Sequence, residues 1–174
     1  MTDTSVGKVA IIGSGSWGTA ISGLVAPHAD EVVVWSYDRE VADSINACHR
    51  NPKQVPFFEI PESVSATTSL ELAADGACAL LVAVPSAFLR NTLHELSQVL
   101  DGSARILVLT KGIEAGTGCL MADVATDELG AGHQIAVLSG RSHTVDLLDR
   151  VRAEHGDDPA RWLEPFHHQR RQIP

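Results

Sequence analysis

The sequence has little that would staple it, anchor it or draw it to a polyanion. Its 174 residues hold three cysteines, Cys48, Cys78 and Cys119, an odd number at wide spacing with no CxxC or CxxH pair. Neither a disulfide framework nor a zinc site is supported, so no metal ligands are assigned. A reducing cytoplasm is the compartment this predicts. The longest apolar run, residues 77–84, falls far short of the ~20 residues that span a bilayer. Basic residues are outnumbered, 13 against 22 acidic, for a net charge of -9. That excludes an extended nucleic-acid or anionic-membrane surface, because those need clustered Lys and Arg. One small anion pocket remains allowed. The opening MTDTSVGK has no basic stretch followed by an apolar one, so no signal peptide is expected.

What is present is an ordinary globular balance, 44% apolar and 20% charged. The length suits one domain whose core needs no staples. Over residues 6–140, short apolar runs alternate with helix-like stretches. The runs are KVAII (8–12), EVVVW (31–35), VSATT (64–68), ALLVAV (79–84), RILVLT (105–110) and QIAVL (134–138). They are rich in Val, Ile and Leu and several hardly alternate, as in strands buried on both faces. The helix-like stretches are 19–26, 40–49, 88–100 and 120–129. Val41, Ile45 and Cys48 share a stripe in the second; Leu89, Leu93, Leu96 and Leu100 share one in the third. This alternation predicts an α/β fold with a doubly wound, mostly parallel, Rossmann-like sheet. Residues 50–62, with Pro52, Pro56 and Pro61, read as an irregular connection.

Residues 141–174 change character. Every basic residue there is arginine, four of the eight histidines fall there, and no lysine follows Lys111. The expected organisation is a dinucleotide-binding domain over 1–140 and a divergent tail over 141–174, irregular or partly helical.

The motif that carries chemistry is Gly13-Ser-Gly15-Ser-Trp-Gly18, directly after the first apolar run and opening the first helix. That is the context a dinucleotide fingerprint requires. Gly13 permits the tight turn, Gly15 leaves room for a pyrophosphate, and Gly18 lets the helix pack closely on the strand. The helix N-terminus adds free N–H groups and a positive dipole. The acidic residue that usually holds the ribose 2′-hydroxyl is absent: its place falls at Ser36 or Tyr37, Asp38 is late, and Arg39 could meet a 2′-phosphate. The cofactor is therefore NADP or NAD. Further along, Lys111 follows the fifth apolar run and Ser139-Gly140 follows the sixth, both at strand ends where ligands of open α/β sheets sit.

Together these residues resemble the bacterial NAD(P)-dependent glycerol-3-phosphate dehydrogenases. The matching stretches are VAIIGSGSWGTA (9–20), EVVVWSYD (31–38), INACHRNPKQVP (45–56), ATTSL (66–70), LVAVPSAFLR (81–90), LTKGIEAGTG (109–118) and AVLSG (136–140). The resemblance implies reduction of dihydroxyacetone phosphate to sn-glycerol 3-phosphate with NADH or NADPH, which supplies phospholipid precursors. It implies that Ser16, Trp17 and Tyr37 contact the cofactor, that Lys111 touches cofactor and substrate, and that Gly140 and Ser142 touch substrate. Tyr37 stands where the family usually has Arg or His. Arg141 replaces a family proline, and no similarity is evident from about Thr144.

The family's helical substrate domain is expected to be missing, and its proton-transferring lysine has no counterpart, so no catalytic residue is assigned. The leading expectation is a dehydrogenase truncated by a reading-frame change near codon 141 and inactive as it stands. The alternatives are a stand-alone nicotinamide-nucleotide-binding or redox-sensing module, and a related dehydrogenase of another substrate. An apolar face left at the strand ends leaves homo-oligomerisation open.

Overall fold

The computed structural model describes residues 6–100, 104–130 and 132–138. The expectations for Gly140, Ser142 and the 141–174 tail lie outside these residues. The six apolar runs become the strands β1 (Val6–Ile12), β2 (Ala29–Trp35), β5 (Val64–Thr67), β6 (Ala79–Val82), β7 (Arg105–Val108) and β8 (Gln134–Val137). They form one sheet in the order β5-β2-β1-β6-β7-β8, with every neighbouring pair parallel. Counted among themselves, these strands run 3-2-1-4-5-6, the doubly wound order. The order reverses between β1 and β6, and in such sheets ligands bind at the carboxyl ends of the strands at that reversal.

Burial on both faces explains why the inner strands read as continuous apolar runs; β8, at the sheet's edge, is largely exposed. Ala10 and Ile12 of β1 face one core with Leu80, Val82, Ile106 and Val108. Val9 and Ile11 face the other with Val32, Val34 and Val64. The first core is closed by α4 (Ser86–Ser97), through fully buried Leu89, Leu93 and Leu96, and by α5 (Met121–Leu129), through Val124 and Ala125. The second is closed by α1 (Ser16–Val25), through Ile21, and by α2 (Arg39–Cys48), through Val41 and Ile45. Cys48, expected on the same stripe, is exposed. It is the last residue of α2, and the chain leaves the helix through His49 in the left-handed region, at φ 51°.

Two features depart from the sequence reading. Residues 50–62 are not wholly irregular: β3 (Arg50–Asn51) and β4 (Val55–Glu59) pair antiparallel, with a register shift between Arg50 and Asn51. A two-residue strand is too short to give a period, and Pro56 sits inside its partner. The short helix α3 (Leu70–Ala74), capped by the Ser69 side chain accepting from the Leu72 N–H, was not expected. At five residues it is shorter than the spacing rule can register.

Candidate functional site

The glycine loop joins β1 to α1 at the strand-order reversal. Its three glycines meet three different surroundings. Gly13 has φ 118°, in the left-handed region, and a Cβ there would stand 2.8 Å from the Ala83 carbonyl oxygen. A Cβ at Gly18 would stand 2.0 Å from the Gly13 carbonyl oxygen and 3.5 Å from Ile11. Both glycines are therefore required by close packing. Gly15, the N-cap of α1, has ordinary extended backbone (φ -65°, ψ 177°), and a Cβ there would meet nothing within 4 Å. The space over Gly15 is open, at a helix N-terminus whose first N–H groups lack intrahelical partners. That combination fits a pyrophosphate, which needs close access to backbone donors.

The loop is held from within. The Ser14 carbonyl accepts from Asn51 Nδ2 at 2.8 Å and from Thr19 Oγ1 at 3.3 Å, and Asn51 Nδ2 also donates to Thr19 Oγ1 at 2.9 Å. Thr19 and Asn51 are fully buried. On the other side, the Ser36 hydroxyl donates to the Asp38 carbonyl at 2.8 Å and so takes its 2.7 Å contact with Ser14 Oγ as an acceptor. Ser36, at the end of β2, is thus buried and committed to the loop.

The neighbouring positions divide. Tyr37 stands in solvent, 92% exposed. Asp38 caps α2 by accepting from the Glu40 N–H, and its other oxygen lies 2.6 Å from Lys53 Nζ. Lys53 pulls the Asp38 carboxyl below its usual range, assisted by the Glu40 N–H. Lys53 also reaches Glu40 at 2.7 Å. The turn carrying it sends Gln54 Oε1 to 3.5 Å from Ser16 Oγ.

The second loop follows β7. Thr110 Oγ1 donates to the Val84 carbonyl at 2.8 Å, tying the ends of β7 and β6 together. Lys111 then places its ammonium 5.2 Å from the centroid of the Trp17 ring, within cation–π range. The structure therefore brings Lys111 to the glycine loop, although 94 residues separate it from Trp17 in sequence (111 minus 17). Trp17 Nε1 is buried without a partner among the described residues. Beyond Lys111, Gly112 takes φ 113° and Ile113 pairs with Leu120 in an isolated bridge. Arg90 of α4 grips this loop, with Nε and Nη2 at 2.7 and 2.8 Å from the two oxygens of Glu114. It also meets Glu128 at 2.6 Å. Arg90, with help from the Thr117 hydroxyl, holds the Glu114 carboxyl at about 2. Arg90 and then His94 pull Glu128 down as well.

Sequence reasoning did not single out Asn51, Thr19, Lys53 or Arg90. Asn51 and Lys53 sit in a proline-broken stretch with no period. Arg90 reads as an ordinary solvated helix residue until α5 and the lysine loop are placed beside it. Among the described residues, no three His, Cys, Asp or Glu side chains gather where they could hold a metal ion, and no helix is long and apolar enough to cross a membrane.

Known proteins point the same way. The profile of the NAD-dependent glycerol-3-phosphate dehydrogenase N-terminus matches residues 8–154, running past Gly140 into the stretch of changed composition. The chain is 38% identical over 156 residues to glycerol-3-phosphate dehydrogenase [NAD(P)+] of Xanthomonas campestris pv. campestris, matching 88% of this chain and 46% of that protein. It is 36% identical over 159 residues to the Stenotrophomonas maltophilia enzyme of the same name, 90% of this chain and 47% of that one. It thus spans about half the length of the curated relatives it matches. Among solved structures, glycerol-3-phosphate dehydrogenase from Coxiella burnetii superposes with a TM-score of 0.71 at 32% identity, over 79% of this chain and 42% of that one. With its glycine loop, its sheet order and a profile match over most of its length, the chain belongs to the NAD-dependent glycerol-3-phosphate dehydrogenase family, in its N-terminal part.

Proposed function

We propose that this domain binds NAD or NADP at the glycine loop and is the cofactor-holding part of a glycerol-3-phosphate dehydrogenase. The observation that carries the reading is Gly15: an open position at a helix N-terminus, set at the strand-order reversal between two glycines that packing requires. In this reading Gly13, Gly15, Ser16 and Gly18 line the pyrophosphate, with Trp17 beside it. Tyr37 lies toward the adenosine ribose. Lys111 contributes a cation to cofactor and substrate, and Gly140 and Ser142 contact substrate. When bound, the nicotinamide ring supplies or accepts the hydride that interconverts dihydroxyacetone phosphate and sn-glycerol 3-phosphate. The chain's own part is to orient: the loop fixes the phosphates, and Lys111 holds positive charge where an anionic group enters.

The test is a fluorescence titration with NADH and NADPH. Binding by the 174-residue chain, lost in Gly15→Val without a fall in melting temperature, supports the reading. Equal binding by both proteins removes the glycine loop from it. A steady-state assay with dihydroxyacetone phosphate addresses catalysis. These 174 residues carry no lysine after Lys111 to serve as proton donor, and general acid–base help is worth typically ~10²–10⁴ in rate. The expected result is turnover far below a typical enzyme's ~10 s⁻¹. A rate near that value, abolished in Lys111→Ala, would show a complete site. The cytoplasm suits the three unpaired cysteines, which stay thiols in a reducing compartment. Exposed Ile113 and Leu120, paired across the lysine loop, support self-association at this edge, which sedimentation velocity checks.

A second reading, a nucleotide-binding module without catalysis, is favoured by one observation. All six strands and both loops at their carboxyl ends are formed within residues 6–138.

A further inference from the structure

Asn51 is a polar side chain with no exposure to solvent, yet it lies outside the glycine motif and on a different hairpin. Its amide orientation is fixed by chemistry. The Ser14 carbonyl can only accept, so the NH₂ group must face it. Both amide protons are then used, on the Ser14 carbonyl and on the Thr19 hydroxyl. The cost falls on the other end of the side chain: Asn51 Oδ1 is buried with no partner among the described residues. A buried acceptor left unmade is unfavourable. What the side chain contributes is its two donors.

What they do follows from peptide geometry. The Ser14–Gly15 peptide is trans and planar, so its carbonyl and the Gly15 N–H point in opposite directions. Drawing the Ser14 carbonyl inward, with Asn51 and Thr19 as its two donors, turns the Gly15 N–H outward. Outward at Gly15 is the open space, free of any heavy atom within 4 Å of a built Cβ. Left to solvent, this peptide could rotate and present the carbonyl instead, a negative pole toward an anion.

We propose that Asn51 is the positioning residue of the pyrophosphate cradle: it locks the Ser14–Gly15 peptide so that the Gly15 N–H, and not the Ser14 carbonyl, faces the ligand. This rests on the dinucleotide-binding reading above. Asn51 touches no ligand itself. Its effect should fall on the phosphates and not on the nucleoside.

The test compares ADP, adenosine and NADPH binding to the 174-residue chain, by NMR titration for the first two and fluorescence for the third. Asn51→Asp keeps the shape but sets an acceptor against the Ser14 carbonyl; Asn51→Leu removes the donors; Thr19→Val removes the second donor to that carbonyl from α1. In the two Asn51 variants, ADP and NADPH affinity should fall about tenfold or more while adenosine affinity changes less than about twofold. Thr19→Val should move the same ratio by a smaller factor. A merely structural role would lower all three ligands together, with a fall in melting temperature, and that outcome overturns the proposal. If Asn51→Leu does not fold, Asn51→Asp and Thr19→Val carry the same measurement. An unaltered chain that binds NADPH, with Asn51→Asp binding it equally, overturns the role of Asn51 alone. An unaltered chain that binds neither ADP nor NADPH overturns the dinucleotide reading and this proposal with it.

Discussion

Thr19, Asn51 and Ser36 hold the glycine loop with neutral groups from inside the protein, whereas Arg90, Glu114 and Glu128 hold the lysine loop with charges nearer its surface. The two loops lie at the same edge of one sheet and meet where Lys111 covers Trp17. Their fastenings differ in what can loosen them. Buried neutral hydrogen bonds do not titrate and are screened little by salt. A half-exposed guanidinium among carboxylates is screened by salt and lost in acid. The glycine loop is thus fixed against changes of medium, and the loop carrying Lys111 is tunable.

The sharpest way to break the comparison is at Gly18. A methyl group there would overlap the Gly13 carbonyl, and backbone cannot swing aside as a side chain tip can. Gly18→Ala should cost about 3 kcal/mol, the upper part of the overpacking range, as read from urea unfolding. Gly15→Ala should leave unfolding within about 0.5 kcal/mol of the unaltered chain, because the position is open and its backbone ordinary. Two glycines of one motif would then separate into a packing requirement and a ligand requirement. A similar loss at both would mean that the loop is uniformly crowded.

A smaller effect is expected in the lysine loop, and it has a sign in pH. Glu114 is held at about 2 against an ordinary value of 4.5. A carboxylate depressed in the folded state stabilises fully above its ordinary value, and that contribution drains away as pH falls from there toward 2. Melting temperatures measured from pH 7 down to 2 should show the unaltered chain above Glu114→Gln at neutral pH and the two converging in acid. Curves that stay parallel throughout would separate Glu114 from the acid response.

The smallest effect is ionic strength. Added salt should narrow the gap between the unaltered chain and Glu114→Gln, yet leave the gap between the unaltered chain and Thr19→Val unchanged. A salt-dependent gap at Thr19 would erase the distinction between the two fastenings.

The sheet could be read in advance because its inner strands are buried on both faces. That forces Val, Ile and Leu into unbroken runs, as in residues 9–12 and 79–82, and leaves helices with stripes such as Leu89, Leu93 and Leu96. The glycine loop was legible for a related reason: close approach of backbone to backbone leaves glycine at Gly13 and Gly18. Asn51 and Arg90 left no such trace. Each acts across a distance in sequence, 37 residues from Asn51 to Ser14 and 24 from Arg90 to Glu114, and a single polar residue has no period to betray it. The hairpin of β3 and β4 was hidden by Pro52 and Pro56, which read as breakers although one lies in the turn and the other in the strand itself.

The central place of β1 has a consequence in time. Its first neighbour, β2, follows after a single helix, but its second, β6, lies about 70 residues downstream, with Ile12 opposite Val82. At a synthesis rate of ~5–20 residues/s, that gap lasts roughly 4–14 s. For that interval the nascent chain carries VAII with one row of backbone donors and acceptors unpaired, beside apolar side chains whose core α3, α4 and α5 have yet to complete. An open strand edge of this kind pairs with whatever strand arrives first. The residue that ends the hazard is not in the glycine loop at all; it is the last of the ALLV run, Val82, whose arrival closes the sheet over the strand that was made first.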